Sequence, residues 1–238
     1  MTADDASTAA APYGTPQTPR VAVRGEARLE FDPEIARIGV AVSARGTDRR
    51  SALEDLTRRN AAVVELVKSY GEAVEKLETG AFSISPELTR RGRGEHVRAY
   101  HGRVHVTAEL GDFTALGELT TRLADLELTR VDGPWWSLRP DSPAHGEARR
   151  QAVKEAVQRA REYADALGAQ LSALVELADL GAENAQDYAV PVAFGAARSA
   201  GYGGADAAEM APALDLEPQR QTVYAQVNAR FTMTPPKL

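Results

Sequence analysis

The sequence lacks cysteine, so none of its 238 residues can form a disulfide, a thiolate nucleophile or a cysteine-based metal site. It also lacks any run near the ~18 apolar residues that a membrane-spanning helix requires, so we expect no integral membrane span. Residues 1–19 lack the basic start and apolar run of a secretory signal. Without such a signal we expect a cytoplasmic protein. The same residues are acidic and then rich in Ala, Thr and Pro, so we also expect a disordered tail over residues 1–19. A periplasmic or other envelope location is the alternative if a signal was trimmed.

The sequence has fewer positively charged residues than negatively charged ones: 28 Lys and Arg against 34 Asp and Glu. The net charge is −6 at pH 7, with 43% hydrophobic and 26% charged residues. This balance is typical of a soluble globular protein. Its negative sign provides no overall attraction to nucleic acid or to an anionic membrane. The composition therefore argues against a nucleic-acid partner.

The chain is organised around a long amphipathic helix predicted over residues 143–167. Asp141 or Ser142 can cap its first turn, Pro143 suits the first helical position, and Gly168 follows its end. Two rows of residues recur at helical spacing: Val153, Val157, Ala160, Ala164 and Leu167, and Ala148, Ala152, Ala156, Ala160 and Ala164. The small residues of the second row predict that another element packs close to the helix backbone.

The first two strands are predicted from alternating apolar and polar residues. They cover residues 21–31 and 36–44, and the short Asp32-Pro33 connection suggests that they form a hairpin. Gly25 marks a possible bulge in the first strand.

The complete predicted order of elements is ββαββ-αβαβ-β, with Asp48 and Asp112 capping the first two helices. Hairpins and isolated helices in that order indicate an α+β fold. We expect two layers, in which helices cover one face of a mainly antiparallel sheet.

Residues 20–238 are expected to form the folded domain. Possible sub-domains are residues 20–110 together with 221–233, and residues 111–180. Residues 181–220 are rich in Gly, Ala and Pro. A segment of this length without regular structure is uncommon inside a domain, so we predict a flexible loop or an oligomer contact.

A dense basic hairpin is the main candidate for a binding site. Its candidate ligand-binding residues are Arg90, Arg91, Arg93, Arg98, His101 and Arg103, and Gly92 and Gly94 leave its backbone flexible. One interpretation is a site for a phosphate-bearing ligand or an acidic partner, since guanidinium groups bind oxyanions. The other is a charged hairpin tip that protects a sheet edge from aggregation.

The histidines do not predict a metal site. His101 and His105 lie on one face of a predicted strand, about 13 Å apart at ~3.3 Å per residue. That distance is too long for one directly shared metal ion, and Arg103 lies between them. A solvated strand face is therefore favoured. Metal binding by His96 or His101 with a carboxylate is the alternative.

Trp135 and Trp136 are adjacent, so strand alternation places their rings on opposite faces. This favours one buried ring and one ring at a subunit interface over a stacking platform for a ligand. Ser83, Ser85 and Ser137 have no neighbouring His and Asp arrangement that would make a nucleophile. We therefore predict no catalytic residue, no cofactor and no enzymatic activity.

Five segments in succession resemble the SIMPL domain family, whose bacterial members include periplasmic and outer-membrane-associated immunogenic proteins. The opening segment, residues 23–71, is similar to the family's first two strands and Ala-rich helix. The later segments are LETGAFSISPEL, AYHGRVHVTAELGDFTALGEL, EARRQAVKEAVQRAREYADALGAQLSALVELAD and RQTVYAQVNARF. The resemblance covers residues 21–232 in the right order.

This resemblance implies an α+β protomer, ring-like or channel-like oligomers as in characterised bacterial relatives, and no established catalytic residues. Our first hypothesis is a non-enzymatic, homo-oligomeric scaffold or binding protein whose partner is a copy of itself. The second hypothesis is a protein that binds, or acts on, an anionic small molecule through the Arg90–Arg103 hairpin.

Overall fold

A computed structural model describes residues 14–91, 94–180 and 214–237 of the chain. The strands are β1 (Gly14–Thr15), β2 (Thr18–Phe31), β3 (Ile35–Gly46), β4 (Val74–Arg91), β5 (Gly94–Leu110), β6 (Thr129–Ser137), β7 (Leu171–Asp179) and β8 (Gln221–Met233). The helices are α1 (Arg49–Lys68), α2 (Phe113–Ala124) and α3 (Pro143–Ala166). The α+β class is confirmed. From β2 onward, the order of elements is the predicted one.

The chain divides into two units, each with its own four-stranded sheet. The first unit has the strand order β1-β2-β8-β7 and contains α3, and the second has the order β4-β5-β3-β6 and contains α1 and α2. Among the described residues, the first unit holds 14–31, 141–180 and 222–237, and the second holds the remainder. This grouping differs from the predicted sub-domains because residues 32–110 pack with 111–140.

The predicted hairpin between the first two strands is wrong. β2 and β3 belong to different sheets, and the chain passes from one unit to the other at Phe31 and Asp32. The backbone N–H of Glu34 donates to the carbonyl of Ser137 at 3.0 Å, so the connection extends the pairing of β3 with β6. Alternation predicts which face of a strand is buried, but it does not predict the neighbouring strand.

Alanines form the packing surface between helix and sheet in the first unit. Every buried residue of α3 belongs to one row with a spacing of four: Ala144, Ala148, Ala152, Ala156, Ala160 and Ala164. A methyl group on Gly25 of β2 would overlap the carbonyl oxygen of Ala152 and lie 2.7 Å from Cβ of Ala156. Gly25 therefore permits close helix packing. Ser142 caps α3, as one of the two predicted alternatives.

Branched aliphatic side chains form the core of the second unit. Ile38, Val40 and Val42 of β3 are fully buried and pack with buried residues of both helices: Leu56, Val63 and Val67 of α1, and Leu116, Leu119 and Leu123 of α2.

The predicted caps of α1 and α2 are present. The side chain of Asp48 accepts from the N–H groups of Arg50 and Ser51, and that of Asp112 accepts from Thr114 and Ala115.

The predicted disordered tail must be shortened at its end. Gly14 and Thr15 pair with Pro19 and Thr18 across a turn, and the hydroxyl of Thr15 accepts from the N–H of Thr18 at 3.1 Å. Proline-rich composition suggested disorder, but Pro16 here occupies a turn that proline favours. The rest of the predicted tail, residues 1–13, lies outside the described residues.

Most of the predicted loop over residues 181–220 also lies outside the described residues. Its last part, residues 214–220, belongs to the second unit and has no regular secondary structure. The N–H of Leu214 donates to the hydroxyl of Thr121 at 3.1 Å, and Leu216 packs against the core. This part of the segment is therefore held by α2.

Candidate functional site

The sheet of the second unit has two different faces. One face of β3 and β5 carries the buried aliphatic residues that contact α1 and α2. On the opposite face, alternate positions carry arginine, histidine and serine, and these residues are exposed or half-buried. We call this second surface the open face. It holds most of the candidate residues that have described side chains.

Ion pairs within and between strands cover much of the open face. Arg37 on β3 contacts Glu109 on β5 at 2.6 Å, and Arg45 on β3 contacts Glu87 on β4 at 2.7 Å. On β6, Arg130 contacts Asp132 at 2.6 Å. These pairs are solvent-exposed, so each one contributes little to stability. They do neutralise the arginines that take part in them.

Glu87 connects two residues of the predicted basic hairpin. Nε2 of His101 lies 2.8 Å from Oε2 of Glu87, and Nη1 of Arg98 lies 3.8 Å from Oε1. The hydrogen bond with His101, followed by that with Arg45, lowers the pKa of Glu87 below its usual value. The lowered pKa favours the charged form of the Glu87 carboxylate. Its negative charge offsets part of the positive charge of the hairpin.

The three arginines nearest the hairpin tip have no described side chains. The backbones of Arg90 and Arg91 end β4 and pair with Glu95 and Gly94, which confirms a hairpin in this region. Arg93 lies outside the described residues. Ligand binding by these three arginines stays a prediction.

Arg103 lies in a different setting from the other predicted ligand-binding arginines. It is directly opposite Ser43 on β3 and Ser83 on β4. These residues line a shallow depression in the open face together with Ser85, His101 and Gly102. The short serine side chains on both sides of Arg103 explain the depression. Sequence patterns pointed to Arg103 but not to the serines as binding groups, because only the strand register brings them together.

The two tryptophans occupy opposite faces of β6, as predicted. Trp136 packs against the core of the second unit, with its ring 4.8 Å from that of Phe113 in an edge-to-face contact. Trp135 is 52% exposed on the other face. Its ring and that of His105 both lie over Gly39, where a Cβ would be 2.9 Å from the His105 ring and 3.4 Å from the Trp135 ring. Trp135 is therefore available for a contact outside the unit.

Neither a metal cluster nor a membrane-spanning helix is found in the parts of the chain that the structure describes. Within residues 14–91, 94–180 and 214–237, no group of three or more His, Asp or Glu side chains is placed to hold a metal ion. Within the same ranges, none of the helices combines the length and the apolar character needed to cross a membrane.

Comparison with known proteins adds a family and two relatives. The model of the SIMPL family, described as a protein of unknown function (DUF541), matches residues 21–231. The 26 kDa periplasmic immunogenic proteins of Brucella melitensis biotype 1 and Brucella abortus strain S19 are each 25% identical to the chain over 173 residues. Each alignment covers 70% of this chain and 68% of the relative.

Proposed function

Because the chain belongs to the SIMPL family, we propose that it is a non-enzymatic protein that associates with copies of itself and serves as a scaffold or binding protein. The family is one of unknown function, so the proposal depends on the surfaces of this chain. Among the described residues, the hydroxyls of Ser83, Ser85 and Ser137 make no hydrogen bond with a histidine, so these serines lack the contact that activates a nucleophile, which supports the non-enzymatic part. An exposed apolar strand carries the part that concerns self-association.

That strand is β7, at the edge of the first unit's sheet. Leu174 and Leu177 are 54% and 46% exposed, and Val175 is also exposed. Successive residues of a strand point to opposite faces, so apolar surface is uncovered on both faces of β7. Burying such side chains is worth about 25 cal/mol per Å² of apolar area. The apolar side chains of β7 therefore gain free energy when another surface covers them.

A second copy is the occupant that this surface best fits. Two copies of a protein with a net charge of −6 repel each other over long range, so the proposal assigns the attraction to apolar contact. A patch that meets the same patch on a second copy forms a closed two-fold interface. The register of β7 with β8 shifts between Leu171 and Ala173 and between Leu174 and Glu176. These irregularities favour side-chain contact over a long uninterrupted strand addition.

Trp135 remains a second predicted contact, and Trp136 does not share that role because it packs in the core. A Trp136→Phe variant leaves Trp135 as the sole tryptophan. If Trp135 becomes buried on association, its emission should shift to the blue as protein concentration rises. Emission that does not change while the mass increases would remove Trp135 from the interface.

We also propose an envelope location, the alternative to the cytoplasmic prediction. The support is that both relatives are named periplasmic proteins. Fractionation of the source cells with an antibody to the native protein tests this. Recovery in the periplasmic or envelope fraction is expected, and recovery in the cytoplasmic fraction alone would contradict it.

Sedimentation velocity tests self-association with a matched pair of variants. Leu177 on β7 and Leu53 on α1 are similarly exposed, at 46% and 42%. Wild-type protein is expected to sediment as a discrete species well above the 25.5 kDa chain mass, and high salt should not dissociate it because its contact is apolar. Leu177→Glu should shift it towards the monomer, whereas Leu53→Glu should not. A monomeric wild type, or equal effects of both variants, would contradict the proposal.

A further inference from the structure

The open face contains an arginine whose charge is not neutralised by a neighbouring carboxylate. The arginines of β3 and β6 on this face, Arg37, Arg45 and Arg130, each have an ion pair. Within the ranges that the structure describes, Arg103 has no hydrogen bond or ion pair with another side chain, and it is exposed. Its guanidinium group is therefore available to a ligand.

Hydroxyl groups surround this guanidinium on both neighbouring strands. Ser43 and Ser83 lie directly opposite Arg103, and residues in such positions have Cβ atoms about 4.5–5.5 Å apart. Ser85 lies opposite His101, two positions along the same strands, and lines the same depression. Three hydroxyl groups and one guanidinium group thus converge from three strands.

The carboxylate of Glu87, which contacts His101 in the lining of the depression, does not compete for this site. Glu87 is already bound by Arg45 and His101, and Arg98 lies within ion-pair distance of it. Arg45, His101 and Arg98 therefore surround the single negative charge of Glu87. None of the described residues that line the depression carries a carboxylate. An anion placed beside Arg103 is therefore not repelled by the lining.

These donors match the acceptors of a tetrahedral oxyanion. A guanidinium group presents two parallel N–H donors to two oxygens, and each serine hydroxyl donates one further hydrogen bond. We propose that Arg103, Ser43 and Ser83, supported by Ser85, bind a phosphoryl group, either as inorganic phosphate or as the phosphate monoester of a small molecule. This site lies on the open face of β5 and not at the hairpin tip, and it does not depend on self-association.

Titration with inorganic phosphate tests the site in the full chain. Ionic strength is kept constant with sodium chloride so that screening does not vary, and binding is followed by calorimetry or by the phosphorus NMR line width. Wild type should bind saturably, and Arg103→Ala should weaken binding by about tenfold or more, equivalent to about 1.4 kcal/mol. Arg130→Ala is the matched control, since it removes an ion-paired arginine of the same face. It should change the affinity by less than about twofold, since exposed ion pairs contribute little.

Further variants distinguish this site from binding at the hairpin tip and from a general effect of charge. Ser43→Ala/Ser83→Ala should weaken binding without any change in charge, and it serves the same purpose if Arg103→Ala does not fold. Arg91→Ala/Arg93→Ala should retain binding. Phenyl phosphate compared with inorganic phosphate distinguishes an ester ligand from the free anion. Circular dichroism checks the fold of each variant.

Three results would overturn the proposal. The first is an absence of saturable phosphate binding by wild type. The second is equal weakening by Arg103→Ala and Arg130→Ala, which would indicate a general charge effect. The third is loss of binding in Arg91→Ala/Arg93→Ala but not in the serine variant, which would move the site to the hairpin tip. None of these results bears on the mass of the protein, so the proposal of self-association is tested separately.

Discussion

The two units combine the same parts in different ways. Each has a four-stranded sheet, with α3 on β2 in the first unit and α1 on β3 and β5 in the second. Alanines and Gly25 bring helix and sheet backbones close together in the first unit. Leucine, isoleucine and valine fill the space between helices and sheet in the second unit. Residue size at the interface therefore sets how closely a helix packs on a sheet.

The units also leave different surfaces uncovered. The first unit exposes leucine and valine on β7, whereas the second exposes a polar face with ion pairs and Arg103. Apolar surface gains free energy when another protein covers it, and polar surface with hydrogen-bond donors suits a small charged ligand. The proposed association through β7 therefore lies in the first unit, and the proposed phosphate site lies in the second.

The largest effect is expected from truncating a core leucine in the second unit. Leu56 and Leu53 lie on the same helix, but Leu56 is 2% exposed and Leu53 is 42% exposed. Leu56→Ala should reduce the free energy of unfolding by about 2–5 kcal/mol because it leaves a cavity. Leu53→Ala should cost roughly 0.5 kcal/mol or less. Urea denaturation measures both, and equal costs would contradict the assignment of the core.

The first unit should instead be sensitive to added volume. Gly25→Ala places a methyl group against Ala152 and Ala156 of α3, and overpacking of this kind costs about 1–3 kcal/mol. Gly80→Ala in β4 is the control, since its new Cβ would lie 3.5 Å from the nearest atom. Thermal unfolding should separate the two variants. A Gly25→Ala protein as stable as Gly80→Ala would disprove the close helix contact.

A smaller effect is expected at the start of α2. The side chain of Asp112 accepts hydrogen bonds from Thr114 at 2.9 Å and from Ala115 at 3.1 Å. Asp112→Ala should cost about 0.5–2 kcal/mol in the free energy of unfolding, because helix N–H groups lose their acceptor. Asp125, at the other end of the helix, is the control. Asp125→Ala should be neutral or slightly stabilising, since a negative charge there opposes the helix dipole.

The smallest expected effect is a pH dependence that arises on the open face. Hydrogen bonds with His101 and Arg45 lower the pKa of Glu87 in the folded protein, so the charged form of Glu87 favours folding. That contribution is present above the usual glutamate pKa and is lost as the pH falls through the lower folded value. Glu87→Gln should therefore flatten the change in urea midpoint between pH 6 and pH 3 (roughly one to two pH units on either side of that usual value). Glu72→Gln, at an exposed residue outside the open face, is the control variant.

Much of the fold was predictable from local sequence. The alternation in β3, the capping residues Asp48 and Asp112, and the alanine row of α3 are local patterns, and each one led to the element that is observed. The face that each tryptophan occupies also followed from alternation. These features depend on residues that are close in the chain, so short-range periodicity was sufficient.

The features that depend on strand pairing were not predictable in the same way. The short connection at Asp32 suggested a hairpin, but β3 pairs with β5 and β6. The depression around Arg103 requires the register that places Ser43 and Ser83 beside it. Likewise, strand pairing places β7 at a sheet edge. Alternation alone leaves both the partner strand and the register open.

Hydrogen exchange at two protein concentrations tests most directly whether β7 is the surface of self-association. Amides in Leu171–Asp179 are expected to exchange more slowly at the higher concentration, because a second copy covers β7. Amides of β5 within residues 97–110 should exchange at the same rate at both concentrations. Self-association through β7 would be contradicted if its amides showed no dependence on concentration, or if the dependence appeared in β5 instead.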